Sequence, residues 1–151
     1  MADADLPFAA AVYASTRAEE LAVTGWPDQQ KQAFLQHQHE AQHRHYRLHY
    51  QGAEWLIIER DRRPVGRLYR AEWPREIRVI DLSLLPEARG GGIGSQIIQD
   101  IQREAKPRGK GVSIHVEKHN PARRLYTRLG FQVAQDKGVY DLMEWRVATA
   151  A

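Results

Sequence analysis

The sequence predicts a mixed α/β sheet, an α/β fold of the α+β type. Three observations predict it. The hydrophobic pattern switches between a helical and an alternating period in the order ααβββαβαββ. An apolar run, Ile80-Asp81-Leu82-Ser83-Leu84-Leu85, passes through Arg89-Gly90-Gly91-Gly92-Ile93-Gly94 into an amphipathic helix. The 151 residues, 42% hydrophobic and 27% charged, have ordinary globular usage and suffice for one domain with its own core, spanning 1–151.

Each element has a local reason. Residues 6–21 are rich in alanine and read as a helix. Trp26-Pro27-Asp28 breaks it, and Pro27 or Asp28 starts a second helix that runs to about residue 50, where Gly52 ends it. Residues 54–60 and 64–73 read as a hairpin joined at Asp61-Arg62-Arg63. Residues 76–85 form a third strand, with Ile77 and Val79 on one face and Ile80, Leu82 and Leu84 on the other. In the helix 92–105, Ile93, Ile97, Ile98 and Ile101 make one stripe. A loop at 107–111 leads to a strand at 111–117 with Val112, Ile114 and Val116 inward. Residues 121–129 form a helix with Pro121 in its first turn, and strands at 131–134 and 139–147 close the chain. There are no repeats, linkers or low-complexity tracts.

Composition narrows the function. No apolar run approaches membrane length and the start lacks a basic-then-apolar signal pattern, so no membrane association is expected. Cysteine is absent, which removes disulfides and a cysteine nucleophile and is compatible with a cytoplasmic location. A net charge of +3, evenly mixed with acid, is too mild to argue for nucleic acid.

The glycine turn carries the chemistry. A glycine-rich passage from a strand into a helix leaves several backbone N–H groups aimed at one spot, with the positive end of the helix dipole behind them. That geometry suits phosphate, and glycine permits both positive φ and close approach. A P-loop would require Gly-Lys-Ser or Gly-Lys-Thr, but Gly94 is followed by Ser95-Gln96. A dinucleotide fold would place G-x-G-x-x-G in an early βαβ unit, and here the glycines stand mid-chain. The alternative is a glycine-rich loop with no ligand.

Arg89-x-x-Gly92-x-Gly94 after a strand resembles the acyl-CoA pyrophosphate motif of the GNAT superfamily of N-acetyltransferases. Asn120-Pro121-Ala122-Arg123-Arg124-Leu125-Tyr126-Thr127-Arg128-Leu129-Gly130-Phe131 resembles that superfamily's late motif, one residue short between Asn120 and Ala122. The two motifs stand in the expected order, and the resemblance covers roughly residues 54–147. It implies a mostly antiparallel sheet flanked by helices and acetyl-CoA as co-substrate. Cofactor contacts would fall on Leu84, Leu85, Arg89, Gly90, Gly91, Gly92, Ile93, Gly94, Ser95, Asn120, Ala122 and Tyr126. Family members usually begin with a strand before the first helix. Met1-Ala2-Asp3-Ala4-Asp5 is too short and acidic for one, so that strand is expected to be missing. An edge left bare invites a second copy, and a homodimer is expected.

Acetyl transfer to an amine needs a neutral amine, a positioned thioester and a proton for the departing thiolate. An amine of pKa about 10.4 must first lose a proton, and a thiol of pKa about 8.5 leaves better if protonated. The resemblance puts the general acid at Tyr126, whose phenol stays protonated at neutral pH. The alternative is a core tyrosine packing between Ala122 and Leu129. Asp81, a carboxylate inside an apolar strand, is the candidate base. Its alternative is a buried partner of Arg67 or Arg78, with Glu76 a second choice of base and a water relay a third route. With no cysteine, a thio-acyl-enzyme is excluded and transfer is direct.

His37, His39, His43, His45 and His49 form a cluster in which two pairs have i,i+4 spacing. A third ligand at a recognisable distance is lacking, so no metal is expected and a polar face or acceptor-pocket lining is the reading. Tyr46, Tyr50, Trp55, Tyr69 and Trp73 are candidates for the acceptor side or for packing. Two other classes stay open: a non-catalytic acyl-CoA-binding sensor, and an interaction domain built on the histidine-rich helix.

Overall fold

A computed structural model describes residues 3–50 and 52–146. After a 3-10 turn at Asp3–Asp5 come α1 (Leu6–Ala22) and α2 (Asp28–His49), then β1 (Glu54–Arg60), β2 (Arg63–Glu72) and β3 (Glu76–Leu84). The order continues with α3 (Ile93–Ala105), β4 (Gly111–Glu117), α4 (Ala122–Arg128), β5 (Gln132–Lys137) and β6 (Tyr140–Trp145). Six strands form one mostly antiparallel sheet in the order β1-β2-β3-β4-β6-β5, with helices flanking it. The expected α+β class is therefore met. Among the described residues no strand precedes α1; Met1 and Ala2 lie outside them, as does Val147 at the expected end of the last strand.

The chain divides into two compact units, residues 1–69 with 81–89, and residues 70–80 with 90–151. The first holds α1, α2, β1, the start of β2 and the end of β3. Pro7 sits in the first turn of α1, where no N–H is needed. Pro27 in extended backbone opens α2, with Asp28 in the first turn and Arg47 in the last, each the charge that the helix dipole favours there. Ala9, Val12 and Tyr13 of α1 are buried together with Val65, Leu68 and Tyr69 of β2. Gly66 is a close approach: a Cβ there would stand 2.4 Å from the Ser83 carbonyl oxygen and 2.8 Å from Leu84 Cδ2.

The second unit is built on parallel β3–β4 pairing, Glu76↔Gly111 to Val79↔Ile114, and antiparallel β4–β6 pairing, Val112↔Trp145 to Glu117↔Tyr140. Ile98, Ile101 and Ala105 of α3 are buried with Ile77, Val112, Ile114, Val116 and Met143. Of the expected isoleucine stripe, Ile98 and Ile101 are buried, while Ile93 and Ile97 are half-buried.

Several boundaries depart from expectation, the last strand running Tyr140–Trp145 rather than 139–147 among them, and three have a local reason. The β1–β2 turn has two residues, Asp61 and Arg62, at φ 53° and 66°. This is the left-handed pair of a type I′ turn, which tight hairpins favour, so Arg63 joins β2. A 3-10 turn, Lys106–Arg108, fills part of the expected loop. β5 runs to Lys137 rather than residue 134. Every β5 residue is exposed, so no alternation marks its end; Asp136 Oδ1 fixes the turn by accepting from Gly138 N–H at 2.8 Å and Lys118 Nζ at 2.8 Å.

Candidate functional site

In the second unit, the glycine turn opens α3. Gly90 and Gly92 have φ 78° and 85°, and Gly92 is the residue preceding the helix. No side chain caps this end. The first turn of α3 therefore presents uncapped N–H groups from Ile93, Gly94 and Ser95, with the helix dipole behind them. A Cβ at Gly90 or Gly92 would meet nothing within 4 Å. Glycine is required there by backbone conformation, and the surface over the turn is open. On its inner side a Cβ on Gly94 would lie 3.7 Å from Leu125 Cδ2, so the start of α3 stands against α4.

α4 carries Tyr126, the residue after Leu125, only 4% exposed and with its ring 5.7 Å from Phe131. Asn120 Oδ1 accepts from Ala122 N–H at 2.9 Å and opens that helix. Glycine turn, Asn120, Ala122 and Tyr126 thus share one unit. Glu76 there is the partner of Arg78 at 3.2 Å and of Arg146 at 3.6 Å. Arg78 Nε also donates to Ser113 Oγ at 2.7 Å, and its charge, after burial, holds the His115 pKa below its usual value. Arg70 meets both oxygens of Glu104, at 2.6 and 2.8 Å, and this hydrogen bonding lowers the Glu104 pKa.

In the first unit, Asp81 lies beside Arg67. Arg67 Nη2 donates to Asp81 Oδ2 at 2.7 Å and to Gln42 Oε1 at 2.8 Å, and Nη1 donates to the Ala9 carbonyl at 3.3 Å. Ser83 Oγ donates to Asp81 Oδ1 at 2.6 Å. The guanidinium carbon stands 5.0 Å from the Tyr69 ring centre and 5.7 Å from that of Tyr13. Arg67 is the partner expected in the alternative reading of Asp81; Gln42 and Ser83 were not foreseen. The signal available for Arg67 was its place inside the run Val65-Gly66-Arg67-Leu68-Tyr69, where a cation is tolerated only with a partner.

Downstream, Leu85 N–H donates to the Val65 carbonyl at 2.8 Å, and Arg89 Nε donates to the Leu84 carbonyl at 3.1 Å. Arg89 N–H is committed to the Pro86 carbonyl at 3.2 Å, so a backbone cradle begins at Gly90 and Arg89 offers only its exposed side chain.

On α2, His39 and His43 stack at 6.2 Å, as do His45 and His49 at 4.1 Å. His39 is buried, and its pKa is lowered to about 4 by burial first, then by the Arg67 and His43 charges. Among the described residues no three His, Cys, Asp or Glu converge as metal ligands. Tyr46, Tyr50, Trp55 and Tyr69 form one ring cluster, with Trp55 and Tyr69 4.7 Å apart. Trp73 belongs to the second unit, where Arg78 covers it at 4.8 Å.

Residues 19–145 match the family described as "Acetyltransferase (GNAT) domain". The chain belongs to this GNAT acetyltransferase family. Solved structures share the GNAT fold at low identity. The PaiA N-acetyltransferase from Thermoplasma acidophilum, in complex with coenzyme A, is 16% identical, with 97% of this chain and 96% of that one covered and a TM-score of 0.72. PH1933 from Pyrococcus horikoshii OT3 is 15% identical, with 99% and 94% covered and a TM-score of 0.72. The ribosomal-protein-alanine N-acetyltransferase from Brucella melitensis is 24% identical, with 97% of each chain covered and a TM-score of 0.58. No curated protein matches this GNAT sequence. Among its described residues no helix is long and apolar enough to cross a membrane.

Proposed function

We propose that this GNAT chain, acting as one domain over residues 1–151, transfers an acetyl group from acetyl-CoA directly to a primary amine. The observation that carries the reading is the start of α3: a left-handed Gly92, open space over Gly90 and Gly92, and a helix end with no side-chain cap. These features fit a diphosphate, because backbone N–H groups and the helix dipole would hold it without a competing side chain. The coenzyme A bound by the Thermoplasma acidophilum relative supports the same assignment.

In this reading Gly90, Gly91, Gly92, Ile93, Gly94 and Ser95 hold the pyrophosphate, with the Arg89 side chain beside it. The Leu84–Leu85 edge receives the pantetheine arm as an added strand would be received. β3 pairs β4 from Glu76↔Gly111 to Val79↔Ile114 and itself continues to Leu84, which supports that use of the edge. Asn120 contributes its amide NH2, since its carbonyl opens α4, and Ala122 lies alongside. Acetyl-CoA, when bound, supplies the thioester carbonyl that the amine attacks. Asp81, oriented by Arg67 and Ser83, accepts the proton that the amine must lose. Tyr126 donates its phenolic proton to the departing sulfur, so the products are an amide and a neutral thiol. No metal enters. The partners are acetyl-CoA and an amine acceptor, without nucleic acid or membrane, and the cysteine-free chain works in the cytoplasm. The chain acts as a homodimer through the outer edge of β1.

The test is Tyr126→Phe, assayed by free-thiol release over an amine panel. The ring and its contact with Phe131 remain while the proton donor is lost. Turnover falls by about 10²–10⁴-fold with acetyl-CoA affinity nearly unchanged. Turnover within about threefold of the parent would remove Tyr126 from the mechanism, since a near-isosteric core change is well tolerated.

A further inference from the structure

Arg67 of β2 stands where α1, α2 and β3 of the first unit come together. Its side chain is 2% exposed, and the rings of Tyr69 and Tyr13 lie 5.0 and 5.7 Å from the guanidinium carbon. Nη1 donates to the Ala9 carbonyl on α1 at 3.3 Å. Nη2 carries two hydrogens and serves two acceptors, Asp81 Oδ2 on β3 at 2.7 Å and Gln42 Oε1 on α2 at 2.8 Å. Arginine only donates, so the Gln42 amide turns its oxygen to it.

The two acceptors on Nη2 differ in charge. Asp81 is the one carboxylate paired with Arg67 among the described residues, whereas Gln42 and the Ala9 carbonyl are neutral. Position 42 sits on the face of α2 turned towards α1 and β2. Gln38, one turn earlier, accepts from the Tyr13 hydroxyl at 3.2 Å, and the His39 ring is 5.8 Å from that of Tyr13. A carboxylate at position 42 would accept the same hydrogen, but two carboxylates on one nitrogen repel across roughly 4–6 Å, the range in which a like charge disfavours ionisation. The neutral amide avoids that. It fixes one Nη2 hydrogen, hence the plane of the guanidinium, and aims the other at Asp81, whose Oδ1 is held by Ser83 Oγ at 2.6 Å.

We infer that Gln42 is a positioning residue for the deprotonation assigned to Asp81: it directs Arg67 at that carboxylate without setting a second charge against it. In that step an N–H bond of the ammonium breaks, the proton passes to Asp81, and the nitrogen keeps the electron pair that attacks the thioester. Gln42 gains and loses no proton. The chemistry rests on the transfer reading; the geometry rests only on hydrogen bonds within the first unit.

The other titratable groups about the pair are His39 and His43 of α2, Tyr13 of α1 and Tyr69 of β2. Burial first, then the Arg67 and His43 charges, holds the His39 pKa at about 4, and burial raises that of Tyr69. Neither changes charge near neutral pH. His43, stacked on His39 at 6.2 Å, is removed in a control.

The experiment moves the charge from β3 to α2 in the full chain. Gln42→Glu, Asp81→Asn and the double variant are unfolded thermally, and free-thiol release is followed against pH with acetyl-CoA and an amine panel. Gln42→Glu moves the acid limb of kcat/KM up by about one pH unit or more, and the shift persists in a His43→Gln background. The double variant recovers most of the Tm that Asp81→Asn loses, since a carboxylate again meets Nη2. Its turnover stays at least about 10²-fold down, because that carboxylate stands on α2. An acid limb that stays in place would overturn the proposal, as would a double variant no more stable than Asp81→Asn. Parent-like turnover in Asp81→Asn would remove the base and the positioning role with it. Recovery of Tm with no turnover by the parent on any amine sinks the transfer reading and this role together; failure of recovery with an active parent sinks the role of Gln42 alone.

Discussion

Asp81→Asn tests the buried ion pair and separates its structural from its chemical use. The Arg67 side chain is 2% exposed and that of Asp81 11%, and the Nη2–Oδ2 contact is 2.7 Å. Asparagine keeps the shape and one acceptor oxygen, for Arg67 Nη2, with its NH2 turned to the Ser83 hydroxyl oxygen, but it leaves the guanidinium buried without its countercharge. Removing one partner of such a pair costs about 3–5 kcal/mol. Gln42 and the Ala9 carbonyl still bond Arg67, which places the expected loss towards the lower figure. For a chain of this size that is a fall in Tm of roughly 6–15 °C. Arg67→Met combined with Asp81→Leu removes both charges and returns stability to within about 1 kcal/mol of the parent, because packed apolar residues replace a buried pair at little net cost. Urea unfolding measures all three proteins, and thiol release measures their turnover. If Asp81 is only structural, the double variant regains activity with stability; if it takes the amine's proton, the double variant is stable and slow. A loss below about 0.5 kcal/mol for Asp81→Asn would refute the claim that this pair is buried and uncompensated without its carboxylate.

Three further outcomes follow from the geometry. His39 has a folded pKa of about 4 against 6.5 unfolded, so its contribution is fully present above pH 6.5 and is lost as pH falls towards 4; urea unfolding should show a loss of up to about 3 kcal/mol across that window, and His39→Leu should flatten it. Gly92→Glu forces a side-chain residue to φ 85° and places a carboxylate at the uncapped start of α3, so calorimetry should show acetyl-CoA binding lost, and parent-like affinity would displace the cofactor from this turn. Two β1 edges paired antiparallel about Ile57 would set Glu54 of each copy against Arg60 of the other; light scattering should then show Glu54→Lys as a monomer and Glu54→Lys/Arg60→Glu as a dimer again, and a monomeric parent at high micromolar concentration would overturn the pairing.

What was legible in the sequence was whatever a local rule dictates. The isoleucine spacing in α3, the glycines before it and Pro27 and Pro121 at helix starts each constrain the backbone within a few residues, and each stands where it was expected. The polar interior was less legible because it is assembled across long separations. Arg67 bonds Ala9, 58 residues away, and Gln42, 25 away; Arg70 finds Glu104 34 residues on. Arginines inside apolar runs announce that partners exist but do not name them, since any carboxylate in the chain satisfies the same rule. His39 shows the same limit from the other side. Its i,i+4 relation to His43 suggested a polar face, yet helical spacing cannot say which turn of α2 meets α1. Tyr13 stands 5.8 Å from the His39 ring, and only the packing of the two helices makes that position an interior one. A histidine placed there is kept neutral and its Nε2 is left without a hydrogen-bond partner among the described residues, a combination that the spacing of the five α2 histidines does not reveal.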